Sequence, residues 1–263
     1  MGKAADSVAL YSGMMIEPPP TPRSGQFTLV LLPGLDGTGR LFQGLLAALP
    51  PEIDPLVISF PGDVEADYAA LEARVVELLP KDRRFALLGE SFSGPLALRL
   101  AARADANLVA IILVASFIKR PVIWAPRFVR HLLHPFMARA PIPLPLLQWL
   151  VMGEDPSAAL VEMTLASLRS VDPAVLTTRA KAALGVDATV AFLHCPVPVL
   201  YLGGTRDRLI SPGTPARLQA LRPDLDCVML EAPHFVLQRA PTQAAAAIIE
   251  FLSHHSLLET ASD

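Results

Sequence analysis

The run Gly89-Glu90-Ser91-Phe92-Ser93-Gly94 sets a serine among small residues. Apolar residues before it (Phe85–Leu88) predict a strand, and the pattern after it (Phe92–Arg103) predicts a helix. A serine at such a strand-to-helix turn is held in a strained backbone conformation with its hydroxyl raised above the sheet. The chemistry open to it there is attack on an acyl carbonyl. Strand and helix approach closely at the turn, so the flanking positions must be small, as Gly89 and Ser93 are. The same pattern arises by chance in many chains, and such a serine can simply cap a helix. The surrounding elements therefore carry the assignment.

A serine hydroxyl is a poor nucleophile without a base. Of the six histidines, His234 in Glu231-Ala232-Pro233-His234-Phe235 falls just beyond the last predicted strand, at the same sheet edge as Ser91. His194 precedes a strand at its far end. His254 and His255 lie near the C-terminus as solvated residues, and His131 and His134 fall in a helical block. The base in turn needs an acid to fix its tautomer and to stabilise the imidazolium. Leu202-Gly203-Gly204-Thr205-Arg206-Asp207 sets a carboxylate just past the penultimate strand. The alternative position, Ala115-Ser116-Phe117, offers none, so Asp207 is preferred over it. The order Ser, Asp, His is the one this arrangement requires. Two backbone N–H groups are candidates for holding a developing oxyanion: Phe92, next to the serine, and Leu35 in Pro33-Gly34-Leu35-Asp36-Gly37-Thr38-Gly39. That loop lacks the lysine and the spacing of a phosphate-binding loop.

These residues need a scaffold, and the chain of 263 residues alternates short β-rich runs with helical ones. Strands are expected at Phe27–Leu32, Leu56–Phe60, Phe85–Leu88, Leu108–Ser116, Val197–Leu202 and Cys227–Leu230. Helices are expected at Arg40–Leu49, Tyr68–Leu79, Phe92–Arg103, Pro215–Leu221 and Gln243–Leu252. The alternation implies an α/β fold with a mainly parallel sheet flanked by helices. From Lys119 to about Val190 only helical signals and prolines remain. Asp155-Pro156 and Asp172-Pro173 read as helix starts and Gly185 as a stop. The chain thus divides into a first core part (1–118), a helical cap inserted between two strands (119–190) and a second core part (191–263). The Pro- and Ser-rich residues 17–25 read as a lead-in loop.

Composition excludes several classes. A net charge of −3 and a 6% aromatic content, not interleaved with basic residues, give no nucleic-acid surface. The longest apolar run, Leu108–Ile118, is too short to span a bilayer, and the N-terminus has no signal-peptide pattern. A cytoplasmic protein with two reduced packing thiols, Cys195 and Cys227, is expected.

Taken together, LLPGLDGTGRLF, the SFPGD turn at Ser59–Asp63, GESFSGPLA, PVPVLYLGGTRD and EAPHFVLQRAP resemble the α/β-hydrolase superfamily. The likeness extends in particular to its small carboxylesterases and to the pimeloyl-acyl-carrier-protein methyl ester esterase type. It runs from about Phe27 to Leu252, interrupted by the cap. It implies ester hydrolysis with no metal or organic cofactor, on a small-molecule ester. Two positions depart from the pattern: Pro33 stands where many members carry His, and Ser93 where Gly is usual. The opening strands of the fold also look abbreviated. The same machinery serves thioesterases and acyltransferases acting on acyl-carrier-protein- or CoA-linked groups, because the acyl-enzyme is common to all. A ligand-binding receptor with vestigial turnover is the alternative from a different class.

Substrate choice is expected to lie in the cap, where Trp124, Phe128, Leu146 and Trp149 are candidate pocket residues. Between Asp105 and Glu154 the chain has no acidic residue but carries Lys119, Arg120, Arg127, Arg130 and Arg139. Arg127, Arg130, His131 and His134 share one face at helical spacing. That face suits an anionic partner such as an acidic acyl carrier protein. Replacing Arg127 and Arg130 by Glu is expected to lower kcat/KM for a carrier-linked or anionic ester while sparing a neutral p-nitrophenyl ester. The effect should shrink as salt rises, and equal, salt-independent activity on both substrates would return those arginines to an ordinary solvated surface.

Overall fold

Six strands form one sheet in the computed structural model, which describes residues 27–121 and 143–258. They are β1 (Phe27–Leu32), β2 (Ile53–Val57), β3 (Phe85–Glu90), β4 (Leu108–Val114), β5 (Val199–Gly204) and β6 (Asp226–Leu230), in the order β2-β1-β3-β4-β5-β6. Every pairing is parallel. All carboxyl ends therefore share one edge, and the segments bearing Leu35, Ser91, Asp207 and His234 all leave the sheet there.

Successive residues in a strand point to opposite faces, and that period of two sorts the core into halves. Val30, Leu32, Leu87, Ile111 and Leu113 face one side. There they meet Leu71 and Val75 of α2 (Tyr68–Leu78) and Leu96 and Leu100 of α3 (Gly94–Ala101). Leu29, Leu31, Leu88, Ile112 and Val114 face the other. Their partners are Leu45 of α1 (Gln43–Ala48) and, near the end of the chain, Ile248, Phe251 and Leu252. Burial on both faces explains why these strands read as unbroken apolar runs rather than alternating ones.

Between β4 and β5 the described residues hold α4 (Leu144–Leu147), which continues into a π-helical turn (Gln148–Met152). Then come α5 (Ala158–Arg169), α6 (Pro173–Gly185) and the short α7 (Thr189–Leu193). α8 (Thr214–Leu221), α9 (Val236–Arg239) and α10 (Pro241–His254) complete the chain in order. No described helix is long and apolar enough to cross a membrane. Both cysteines are free thiols.

Several expected boundaries move, each for a physical reason. β2 lies at Ile53–Val57 rather than Leu56–Phe60, because pairing with β1 runs from Phe27 opposite Ile53 to Leu31 opposite Val57. It is one of the two edge strands, where the missing N–H of Pro55 is tolerated. Ile58 and Phe60 instead tie the next segment to β1 and its loop, through Ile58 N–H to Leu31 O and Phe60 N–H to Gly37 O. β4 stops at Val114, two residues before the expected end. β5 extends through Gly203 and Gly204, because these stay paired with Met229 and Leu230 of β6; Gly204 must be a glycine there, since a side chain would run into the Ala232 and Pro233 carbonyls. Asp172 caps α6 as expected, accepting from the Ala174 N–H at 2.7 Å. Asp155 caps nothing: it sits at φ 48°, and Ser157 caps α5 instead, through the Leu160 N–H. Gly185 is the last residue of α6 and not a left-handed stop beyond it.

Candidate active site

The turn after β3 has the expected strain. Ser91 has φ 47°, a left-handed conformation that a non-glycine residue adopts only under constraint. The constraint comes from packing. A Cβ at Gly89 would stand 2.6 Å from the Ser93 carbonyl oxygen, and one at Gly94 would run into the Ser116 hydroxyl. That hydroxyl donates to the Ser91 carbonyl at 2.6 Å, so the segment just after β4 fastens the turn.

His234 and Asp207 complete a line. His234 Nε2 lies 2.9 Å from Ser91 Oγ, and His234 Nδ1 lies 2.8 Å from Asp207 Oδ2. Asp207 Oδ1 is held by the N–H groups of Leu209 and Ile210, both at 2.8 Å. Both side chains are buried, so water does not compete for these bonds. With the proton on Nδ1 the ring donates to the carboxylate, and Nε2 accepts from the hydroxyl. The histidine loop is braced from the inserted segment: Phe235 N–H donates to Val151 O at 2.9 Å, and Pro233 packs on Gly153.

The two positions that depart from the family pattern meet each other. Ser93 is fully buried, and its hydroxyl donates to the Pro33 carbonyl, drawing the β1 loop against the serine turn. Within that loop Gly37 N–H donates to Gly34 O. Among the described residues, no partner takes the N–H of Leu35 or of Phe92. Tyr68 steadies Phe92 by stacking on its ring at 4.8 Å and donating to its carbonyl at 2.8 Å.

One residue essential to this loop escaped the sequence reading. Arg179, on α6, has no exposed surface, and its guanidinium donates to the carbonyls of Leu35 (3.0 Å), Asp36 (2.9 Å) and Pro61 (2.7 Å). It also lies over the Phe60 ring. Burial lowers its pKa to about 10, with the Asp36 charge pulling the other way, so it stays a cation at neutral pH. Gly37, at φ 72°, is where the loop passes closest: a Cβ there would collide with the guanidinium. An arginine within a helical pattern carries no mark of such a role, because its partners are backbone carbonyls far away in sequence.

A second buried group sits behind the serine. Glu90 accepts from Gln238 Nε2 at 2.8 Å, and its carboxyl faces the Asp36 carboxyl across Gly34. Burial raises its pKa to about 7. The bond from Gln238 opposes this, the Asp36 charge adds to it, and His234 and the Gly34 N–H oppose it again. The folded protein therefore holds a proton on Glu90 through a range where the unfolded chain, near 4.5, has lost it.

Of the expected pocket residues, Trp124 and Phe128 lie outside the described residues, as do Arg127, Arg130, His131 and His134. Leu146 and Trp149 are exposed. Trp149 carries the Arg208 guanidinium over its ring at 4.9 Å, one residue past Asp207.

A parallel sheet with a buried Ser–His–Asp line at its carboxyl edge defines an α/β-hydrolase architecture. Residues 29–248 match the alpha/beta hydrolase family, and the chain belongs to that family. It is 29% identical over 248 residues to a polyketide synthase, ThaQ, of Burkholderia thailandensis, covering 85% of this chain and 12% of that protein. It is 32% identical over 161 residues to the AMB antimetabolite synthetase AmbE of Pseudomonas aeruginosa, covering 54% of this chain and 7% of that one. The chain thus spans a small fraction of either relative's length. A thermophilic esterase from Thermogutta terrifontis shares the fold with a TM-score of 0.74 at 18% identity, covering 89% of this chain and 91% of that one.

Two substitutions test these buried groups. Arg179→Lys keeps a charge but cannot reach three carbonyls at once. The expected outcome is a folded protein with a lower Tm and a kcat on an activated ester reduced about tenfold or more, with KM little changed; an unaltered kcat would reduce Arg179 to a packing residue. Glu90→Gln keeps the acceptor for Gln238 but cannot titrate. Because the folded pKa of Glu90 is raised, wild-type stability falls as pH climbs from about 4.5 to about 7 and is flat above. The Tm of the variant should therefore gain on the wild type between about pH 5 and pH 8, and a constant difference across that range would contradict the assignment.

Proposed function

We propose that this chain is a serine hydrolase that cleaves carboxylic esters of short to medium acyl chain through an acyl-enzyme on Ser91. The observation that carries the reading is the line from Ser91 Oγ through His234 to Asp207, at 2.9 Å and 2.8 Å. In this reading the hydroxyl attacks the ester carbonyl while His234 Nε2 takes its proton. The carbonyl oxygen becomes an oxyanion received by the N–H groups of Leu35 and Phe92. Collapse expels the alkoxide, which takes the proton back from His234. Water, deprotonated by the same nitrogen, then attacks the acyl-enzyme and releases the acid. Asp207 stays ionised throughout and holds the imidazolium.

A second reading keeps the same residues and changes the leaving group: hydrolysis or transfer of an acyl group held as a thioester on a carrier protein or CoA. It is favoured by the two curated relatives, one a polyketide synthase and the other an antimetabolite synthetase by name. In each the matching stretch is a small part of a much longer chain.

Ser91→Ala is expected to leave the fold intact and to lower ester turnover by roughly a thousandfold or more. Retention of more than about a tenth of the activity would overturn the nucleophile assignment and point to Ser93. A panel of p-nitrophenyl esters and CoA thioesters of increasing acyl length then separates the two readings. Strong activation at an oil–water interface with long-chain preference would contradict the short-to-medium range.

A further inference from the structure

A cavity of about 430 Å³ lies between the segments that follow β4 and β5 and plays no part in the acyl chemistry described above. One wall is the segment 117–121, which continues from Ser116, the residue bonded to the Ser91 carbonyl. The other is α8 with the loop before it, which starts from Asp207 and its two N–H partners. Both walls are thus direct continuations of segments that hold the site.

The lining has two characters. Phe117, Ile118 and Leu218 give it an apolar floor, all three buried. Lys119, Arg120 and Arg217 add three cations, and none of the described residues lining the cavity is a carboxylate. Lys119 is already paired, with Asp187 at 3.4 Å. Arg120 and Arg217 have no acidic partner among the described residues. Arg120 has, in addition, a terminal nitrogen, Nη1, that is buried without a hydrogen-bond partner among the described residues. A buried guanidinium nitrogen left unpaired is costly, and an anion in the cavity would remove that cost. Ser211 and Thr214 line the same space and supply hydroxyls of the kind that join guanidinium groups around an oxyanion. In a chain of net charge −3, two unpaired arginines converging on one cavity are not explained by compensation of neighbouring acids.

We propose that this cavity is a subsite for the anionic end of an amphipathic acyl substrate, with Arg120 and Arg217 pairing the anion and Phe117, Ile118 and Leu218 covering the carbon chain next to it. The inference rests on the reading of Ser91 as nucleophile and adds a substrate class to it. A phosphate on a carrier arm and a carboxylate at the far end of a substrate tail share this chemistry, and the test separates them.

Substrate pairs that differ only in a distal anion provide the test. One pair is a single acyl group as its pantetheine and its phosphopantetheine thioester. The other is a p-nitrophenyl ester of a dicarboxylic acid with its far end free or blocked as a methyl amide. Wild-type kcat/KM is expected to favour the anionic member of one pair by about tenfold, mainly through KM. The preference should fall below about twofold in the Arg120→Ala/Arg217→Ala double variant and should shrink at high salt. Turnover of p-nitrophenyl acetate should be unchanged in that variant. A preference in the thioester pair identifies a carrier phosphate, and one in the ester pair identifies a tail carboxylate. If the double variant does not fold, Arg217→Ala alone, at an exposed position, should still remove most of the preference. No preference in either pair, or one that survives the substitutions, overturns the subsite while Ser91-dependent turnover stands. Turnover that survives Ser91→Ala fails the nucleophile reading instead.

Discussion

The close approach of α3 to the carboxyl ends of β3 and β4 is the constraint on which the site depends. The backbone at Ser91 is left-handed, and such strain persists only where the surroundings over-determine it. Here they do so from three directions. Gly89 lets the strand pass beneath the Ser93 carbonyl, Gly94 lets the helix rest on Ser116, and Ser116 bonds the Ser91 carbonyl. A methyl group at either glycine would push the helix off the strand and with it the hydroxyl off its line to His234. The strain is held in place by the apolar burial on both faces of the sheet.

The inserted helices are tied to both halves of the site, which makes them part of its framework. Arg179 reaches from α6 to three carbonyls around the β1 loop, so that loop's shape depends on a residue far along the chain. On the other side, Val151 and Gly153 hold the loop that carries His234, and Arg239 bonds the carbonyls of Glu154 and Asp155. Any shift of the insertion relative to the sheet would be felt at the loop bearing Leu35 and at the histidine together. The buried pair of Glu90 and Asp36 adds a polar layer beneath the same loop, satisfied by Gln238, the Gly34 N–H and Thr38. Replacing a usual glycine by Ser93 fits this logic, since its hydroxyl spans the gap to Pro33 that a glycine would leave unbridged.

By itself the sequence determined the parallel α/β architecture and the sheet edge at which Ser91, Asp207 and His234 emerge. Both follow from local signals: buried strands read as apolar runs, turns are marked by Gly and Pro, and strand ends set the direction. It also marked the helix start at Asp172, where cap and proline act within a few residues. It misplaced β2, because Ile58 and Phe60 are apolar for burial in the core just beyond the last β1–β2 pair, and it misread Asp155 as a cap. Only the tertiary structure decided which backbone carbonyls Arg179 would satisfy, that Pro33 and Ser93 would touch, that Glu90 would hold its proton, and that Arg120 and Arg217 would share one cavity. Each of these joins residues distant in sequence through backbone groups or burial, and neither leaves a trace in residue type or spacing.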